Sequence, residues 1–249
     1  TYDDFTQEPY VASGKILQAR RLYSTWRQSA VNNVFFSYLT DFSFCTWVNI
    51  RTPITTSRSI PIMGKNFNYA MQAVNDGVGN LNFTFGVRLS GFATQATVTH
   101  PTDFSLDTWN HVVGVYRASD ESIRIYVNGT VSSTVSAAAV NFTNDAAKSF
   151  NYDANGVING DSQYPVVFVD DGRVYDTALT AGQVALLYNG GSGTEEWLES
   201  YIDETSYINP SDLVSMVCFE PLPSAQGYYF LLENGTDTLL LENGDHILT

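Results

Sequence analysis

Charge is scarce in this chain. Asp, Glu, Lys and Arg make up 15% of its 249 residues, against about 25% in an average globular domain, and the only lysines are Lys15, Lys65 and Lys148. A long solvated helix is excluded by that composition, and intrinsic disorder does not fit a hydrophobic content of 44%. Basic residues are short as well. Twelve Lys and Arg against 26 Asp and Glu give a formal net charge of −14, and so acidic a surface repels nucleic-acid phosphates and anionic lipid headgroups alike. Neither nucleic acid nor a membrane is an expected partner. No run reaches the roughly 18 consecutive apolar residues of a membrane-spanning helix, and Thr1-Tyr2-Asp3-Asp4 is not the basic-then-apolar start of an export signal.

Cysteine is nearly absent. Cys45 in Phe44-Cys45-Thr46-Trp47 and Cys218 in Val217-Cys218-Phe219 each sit in an apolar, strand-like run, not in the close spacing of a metal or redox motif. Two buried thiols are expected, able to pair only if their strands are neighbours. What fills the sequence instead is Ser, Thr and Asn, 65 residues together, a composition of strands and turns.

Strand periodicity runs through the chain. Phe42-Ser43-Phe44-Cys45-Thr46-Trp47-Val48-Asn49-Ile50 and Leu81-Asn82-Phe83-Thr84-Phe85-Gly86-Val87-Arg88-Leu89 alternate aromatic or β-branched residues with small polar ones, the period of a half-buried strand, and Val34-Phe35-Phe36-Ser37-Tyr38 reads likewise. The turn cluster Asn75-Asp76-Gly77-Val78-Gly79-Asn80 leads into the second of these. Two further strands, ending at Tyr116 and Val127, are joined by Ala118-Ser119-Asp120-Glu121. Asn128-Gly129 then supplies the positive φ angles of a type I′ turn, so Ile123 to Val127 folds back on Thr130 to Val135. Val166-Val167-Phe168-Val169 is another strand, expected to turn at Asp170-Asp171-Gly172 and continue as Arg173-Val174-Tyr175.

There the period changes. Leu179, Val184, Leu187 and Tyr188 share a helical face, Thr180 and Gln183 have capping-box spacing, and Asn189-Gly190-Gly191 stops the helix. Gly190 to Pro210 reads as an acidic connection, and Leu213 to Phe219 as a strand halted by Pro221 and Pro223. In the tail, Leu231-Leu232-Glu233-Asn234-Gly235 returns nine residues later as Leu240-Leu241-Glu242-Asn243-Gly244. Each Asn-Gly is a hairpin signal, which predicts a three-stranded meander over 228–233, 236–242 and 245–248.

At least eight short strands with regular turns and one late helix specify an all-β fold, a two-sheet antiparallel jelly-roll sandwich. Three parts follow: an N-terminal arm over 1–33, the sandwich over 34–222, and a β-hairpin repeat tail over 223–249. Three blocks carry a family resemblance: Asp107-Thr108-Trp109-Asn110-His111-Val112-Val113-Gly114-Val115-Tyr116, then Ile123-Arg124-Ile125-Tyr126-Val127-Asn128-Gly129, then Val169 to Leu179 followed by Val184 to Gly191. In order and spacing they resemble the concanavalin A-like, laminin G-type jelly-roll family, over roughly residues 35–220. The Leu-Leu-Glu-Asn-Gly repeats resemble tails on structural proteins of tailed bacteriophages, whose particle exteriors also carry laminin G-like domains. Together the resemblances imply a virion component assembled in the host cytoplasm and exposed on the particle surface: a capsid decoration protein, a head fibre or a tail component.

Glycosidases of the resembled fold carry acidic residues at alternating positions of one strand, because acid and nucleophile must face one cleft about 5 Å apart. No strand here has that pattern, and Glu195, Glu196, Glu199, Asp203 and Glu204 fall in the acidic connection. By the resemblance, the aspartate of Asp170-Asp171 ties a loop to backbone amides. His100, His111 and His246 are scattered, with no nucleophile motif and no His-x-x-x-His spacing, which leaves them structural or surface roles. No catalytic residue is expected. Relatives that bind calcium hold it at a loop rim with Asp, Asn and carbonyl oxygens. Asn75, Asp76 and Asn80 offer that chemistry, as do Asp153, Asn155 and Asp161, with Asp76 or Asp161 the ligand if calcium binds; any tight turn uses the same residues. These loops are also the candidates for glycan contact. The sequons at Asn82, Asn128, Asn141 and Asn234 matter only in a eukaryotic secreted protein.

Assembly has its own candidates. Tyr229, Phe230, Leu231, Leu232, Leu239, Leu240 and Leu241 form nearly unbroken apolar strands that must be covered, either by a partner or by the chain's own sandwich. Arg20, Arg21 and Arg27 hold three of the 12 basic residues and suit docking on an acidic neighbour. The reading is a non-catalytic virion structural protein whose partners are other virion proteins or copies of itself, together with host-surface glycans. A secreted lectin-like carbohydrate-binding module or a degenerate glycoside hydrolase is the alternative, since a fold so widely reused does not fix function.

Overall fold

The computed structural model describes residues 11–16, 18–22, 28–30, 41–51, 53–54, 59–65, 69–88, 95–137, 150–152, 166–194 and 213–217. In chain order the strands are β1 (Val11–Ser13), β2 (Gln18–Leu22), β3 (Gln28–Ala30), β4 (Phe42–Ile50), β5 (Ser59–Lys65), β6 (Tyr69–Asn75), β7 (Leu81–Arg88), β8 (Gln95–Thr99), β9 (Trp109–Arg117), β10 (Ser122–Val127), β11 (Thr130–Val131), β12 (Val135–Ser136), β13 (Phe150–Tyr152), β14 (Val167–Tyr175) and β15 (Leu213–Val217), with helix α1 (Ala181–Tyr188) after β14. Among the described residues they form two antiparallel sheets. The larger runs β1-β2-β14-β4-β9-β10-β11, with β12 also on β10 and β15 also on β14; the smaller runs β3-β13-β5-β6-β7-β8. This is the expected all-β, two-sheet jelly roll with one short helix.

Between the sheets lies the main core. Phe42, Phe44, Val48 and Ile50 of β4 meet Ile60 and Ile62 of β5, Met71 and Ala73 of β6, and Phe83, Phe85 and Val87 of β7, all buried. Phe44 and Phe85 pack edge to face with ring centroids 5.2 Å apart. Gly114 of β9 permits this approach, since a Cβ there would lie 2.9 Å from Cγ of Phe85.

A second core lies on the opposite face of the larger sheet. Cys45, Val113, Val115, Tyr126 and Tyr175 pack there against Leu179, Val184 and Leu187. Thr180 caps α1 with the full reciprocal capping box to Gln183, and Asn189 ends it in the left-handed conformation. The alternation in β4 predicts one wet face, yet all nine of its residues are buried. The reason is tertiary: α1 and its flanking loops cover the face that carries Ser43, Cys45, Trp47 and Asn49.

Three local expectations are corrected. Asp170-Asp171-Gly172 is not a turn between two strands but a bulge inside the single strand β14, where Asp171 and Gly172 stand opposite Thr46 alone and Asp171 takes φ 48°. The bulge divides one edge of β14 between two neighbours: β2 pairs with Val167 to Val169, and β15 with Gly172 to Tyr175. Second, Thr130 to Val135 is not one strand. Asn128 (φ 51°) and Gly129 (φ 77°) make the expected hairpin turn, but the returning chain pairs with β10 as separate pieces, β11 and β12. One extra residue bulges out between them, and Ser132 fills the gap by donating from its N–H to the Ile125 carbonyl and accepting the Ile125 N–H on Oγ. Third, the described parts of the expected N-terminal arm are strands of the sandwich: β1 and β2 extend the larger sheet, and β3 pairs with β13 in the smaller. Arg20 and Arg21 lie in β2 opposite Val169 and Phe168. Arg27, Cys218 and the tail residues Tyr229, Phe230, Leu231, Leu232, Leu239, Leu240 and Leu241 lie outside the described residues. No helix among the described residues is long and apolar enough to cross a membrane.

Candidate functional site

At one end of the sandwich three loops are stitched into a rim. In the β6–β7 loop, Asp76 Oδ1 accepts the Val78 and Asn80 N–H groups at 2.9 and 3.1 Å, and Oδ2 accepts Nδ2 of Asn80 at 2.6 Å. Asn75 Oδ1 accepts the Gly77 N–H at 3.0 Å while its Nδ2 donates 2.8 Å to the Ile54 carbonyl, which ties this loop to the one after β4. The third loop joins through Phe104 N–H on the Leu81 carbonyl, Asp107 N–H on the Ile50 carbonyl, and Asn82 Nδ2 on Asp103 Oδ1 at 2.8 Å. Val78, at the tip, is 84% exposed. The rim is thus preorganised and offers solvent an apolar tip beside the exposed Asp76, Asn80 and Asp103.

Both oxygens of Asp76 accept N–H donors, which hold its carboxyl below the ordinary 3.8, the Val78 N–H foremost; a Ca²⁺ ion takes six to eight oxygens. No group of three or more His, Cys, Asp or Glu among the described residues could hold a metal ion. Asn75, Asp76 and Asn80 are brought together as a turn. Asp153, Asn155 and Asp161 lie outside the described residues.

A different polar layer is built on the covered face of the larger sheet. Register sets Asp170 of β14 opposite Trp47 of β4, and Trp47 opposite His111 of β9. Directly paired residues project from one face, so the three side chains form a row. Asp170 Oδ2 accepts the Lys15 and Ile16 N–H groups, each at 2.8 Å. The loop that this aspartate ties down is therefore the β1–β2 turn. Beyond the bulge, Asp171 Oδ1 accepts Nε of Arg173 at 2.7 Å, and Arg173 Nη2 donates to the Thr194 carbonyl at 2.5 Å, which anchors the segment after α1. Burial raises the carboxyls of Asp170 and Asp171 above 3.8, opposed at Asp170 first by the Ile16 N–H and at Asp171 by the Arg173 guanidinium.

Under these two segments sits an aromatic box. Trp47 and His111 are each 1% exposed, with ring centroids 5.1 Å apart, and Tyr188 at the end of α1 stacks on them at 5.8 and 6.2 Å. Lys15 places its ammonium 5.2 Å from the Trp47 ring centroid. Gly193 (φ 74°) closes the top, where a Cβ would come 2.7 Å from Cδ1 of Ile16 and 3.1 Å from Nε1 of Trp47. Burial, with the nearby Arg173 charge, drives the His111 pKa down to about 3, so the ring is neutral at physiological pH. Trp47 Nε1, His111 Nδ1 and Asn49 Oδ1 are buried without a hydrogen-bond partner, and each such group costs about 1–3 kcal/mol.

Sequence reasoning assigned His111 a structural or surface role but did not find this box. The signal available was that Trp47, Asn49 and His111 occupy the second-face positions of alternating strands. His100 is structural: its Nε2 lies 3.0 Å from the Thr130 carbonyl and its Nδ1 accepts the Thr102 N–H. The amides of Asn82 and Asn128 are engaged, Asn128 through Asn110 Oδ1 and the His111 N–H. Cys45 is a free, buried thiol pushed up to about 12, chiefly by burial.

Comparison with known proteins follows this geometry. Among solved structures, the binding domain of botulinum neurotoxin DC in complex with rat synaptotagmin II matches with a TM-score of 0.55 and 13% identity over 73% of this chain and 45% of that one. A botulinum neurotoxin type C structure, described with cell entry dependent on two ganglioside molecules, matches at 0.55 and 14% over 72% and 44%. The chain spans less than half the length of those proteins, so their partners do not transfer with the fold. No curated protein matches. The model of one family, Laminin_G_3, matches residues 26–185, and with that span of sequence and the two-sheet fold in agreement, this chain belongs to the concanavalin A-like lectin/glucanases superfamily.

Proposed function

We propose that this chain is a non-catalytic, glycan-contacting jelly-roll module exposed on the surface of a tailed-bacteriophage particle. The stitched rim carries the binding half of this reading. A contact surface that is already rigid spends little of its binding free energy on ordering, and the rim combines an 84%-exposed Val78 with the hydrogen-bonding edges of Asn80 and Asp103. The non-catalytic half is supported by Asp170 and Asp171, adjacent buried carboxylates that each commit one oxygen to holding the fold, Asp170 to the Lys15 and Ile16 N–H groups and Asp171 to Arg173. The particle half rests on the Leu-Leu-Glu-Asn-Gly repeats of the tail. A secreted lectin-like module shares the rim but needs no particle.

Glycan-array screening of the full chain tests the rim. Binding to at least one glycan class is expected, weakened about tenfold by Val78→Asp, a loss of about 1.4 kcal/mol. Binding that is unaffected by Val78→Asp removes the rim from the proposal. Co-sedimentation with phage particles, comparing the natural chain with Leu231→Glu/Leu240→Glu, tests the assembly role. Equal behaviour of the two would leave the secreted-lectin reading in its place.

A further inference from the structure

We propose that the β1–β2 turn at Lys15 and Ile16 is a closed cover over a second ligand site, separate from the rim, where Trp47 and His111, with Asn49 beside them, take a neutral polyhydroxyl group such as the edge of a hexose. The three unpartnered atoms lie on one sheet face. Trp47 and His111 are directly paired across β4 and β9, and Asn49 is the next residue along β4 with the same orientation.

Their chemistry selects the ligand. Trp47 Nε1 can only donate, Asn49 Oδ1 can only accept, and a neutral imidazole does one or the other at Nδ1. A cation would leave the indole N–H bare, and an anion would leave the amide oxygen bare. Hydroxyl groups donate and accept, and lifting Lys15 off the Trp47 ring uncovers an aromatic surface that suits the apolar face of a sugar ring.

The cover is held at three places. One carboxylate, Asp170, accepts both of its N–H groups, and Lys15 contributes an ammonium over the Trp47 ring while Ile16 rests against Gly193. Gly14, Lys15 and Ile16 are each only half-buried. Lifting the turn gives up two hydrogen bonds and a cation–π contact, while a bound polyol supplies partners to groups that have none in the closed state. The measured affinity is then the intrinsic affinity reduced by the fraction of molecules that are open.

The test is a ¹H–¹⁵N spectrum of the full chain, which contains four tryptophans, titrated with millimolar lactose and, as charged counterparts, glucuronate and choline. The Trp47 indole peak is identified by its loss in Trp47→Phe. Lactose is expected to move that peak, glucuronate and choline to leave it in place, and Asp170→Ala to tighten lactose binding about tenfold. Ile16→Ala, which loosens the cover without touching the carboxylate, is expected to tighten it as well and carries the test if Asp170→Ala does not fold. A Trp47 peak unmoved by lactose in the natural chain and in the folded cover variants overturns the proposal and leaves an ordered water as the natural partner of these atoms. Equal shifts with the charged probes overturn the ligand class. Lactose shifts that persist in Trp47→Phe and vanish in Val78→Asp place all binding at the rim, which overturns this site while leaving the rim reading intact.

Discussion

Asp76 at the rim and Asp170 on the covered face of the larger sheet each accept two backbone N–H groups on a carboxylate, in opposite surroundings. Asp76 is exposed and reaches residues two and four positions ahead. Asp170 is 4% exposed and reaches residues 155 and 154 positions away. When the rim loop opens, water replaces what it loses, so Asp76 shapes a loop without bearing much of the fold. When the Lys15 turn opens without a replacement, a buried anion loses its donors, and two distant parts of the chain come apart. Identical bonds are local punctuation in one place and a tertiary fastening in the other, and solvent access makes the difference.

The sharpest way to break this comparison is at the neighbouring fastening. Arg173→Met leaves Asp171 charged and buried with no counter-charge, and an uncompensated buried charge costs about 3–5 kcal/mol. Urea unfolding should show a loss of that size. Adding Asp171→Asn, which tolerates the left-handed φ of 48° at this position, should restore most of it. A single-variant loss below about 1 kcal/mol would mean that the pair is not sealed from water, since exposed pairs are worth that little.

Asp170→Ala comes next. Hydrogen bonds to a charged group contribute about 1.5–3 kcal/mol, so a loss near 2–3 kcal/mol in the same assay is expected, with protease sensitivity appearing near Lys15. Asp76→Ala should lower stability less, with the change confined to amide exchange in 76–80. Equal losses at the two sites would refute the contrast.

Two glycines sharpen it further. Gly193 and Gly79 both have positive φ, at 74° and 109°. A Cβ at Gly193 meets Ile16 at 2.7 Å, while at Gly79 nothing lies within 4 Å. Gly79→Ala therefore carries only the backbone penalty, about 1–2 kcal/mol, and Gly193→Ala carries that plus a clash that pushes on the cover. Thermal melts should rank Gly193→Ala as the worse, and Ile16→Ala in the same chain should recover the excess.

The same contrast explains what the sequence could reveal. Asn75-Asp76-Gly77-Val78-Gly79-Asn80 was legible as a turn because all but one of its described side-chain bonds close within four residues. The helix was legible from Thr180 and Gln183 for the same reason, and the hairpin from Asn128-Gly129. The Asp170-Asp171 pair was legible as holding an aspartate that ties a loop, through the family resemblance, but nothing local says which of the two it is or that the loop is the β1–β2 turn. Nor does local pattern show that Asp170-Asp171-Gly172 continues one strand: aspartates with glycine are turn residues, and only the partners on both sides of β14 hold the bulge in a sheet. Trp47, Asn49 and His111 alternated correctly, but alternation says which residues share a face and not whether that face is wet. The expected arm was misjudged for a related reason: β1, β2 and β3 are short, β1 pairs with its neighbour β2, and the partners of β2 and β3 lie more than 100 residues away in β14 and β13.

The smallest expected effect is also the most discriminating, because it differs in sign. Burial raises the folded-state pKa of Asp170 above 3.8 and hydrogen bonding lowers that of Asp76. At Asp170 the folded state holds its proton more tightly than the unfolded chain, so between 3.8 and the raised value ionisation favours the unfolded chain, and stability falls as pH rises, then levels off. At Asp76 the unfolded chain holds the proton more tightly, so stability is fully present above 3.8 and is lost as pH falls through the lowered value. His111, whose pKa is depressed from 6.5 to about 3, adds a loss of its own as pH falls below 6.5, so the total profile of the natural chain does not separate the carboxyls. Differences against variants at single sites do. In urea unfolding from pH 3 to 8, the advantage of the natural chain over Asp170→Asn should shrink as pH rises above 4, while its advantage over Asp76→Asn should grow as pH rises toward 4 and then stay flat. Two curves of the same sign would mean that Asp170 is solvated like Asp76, and the Lys15 turn would then be a surface loop and not a cover.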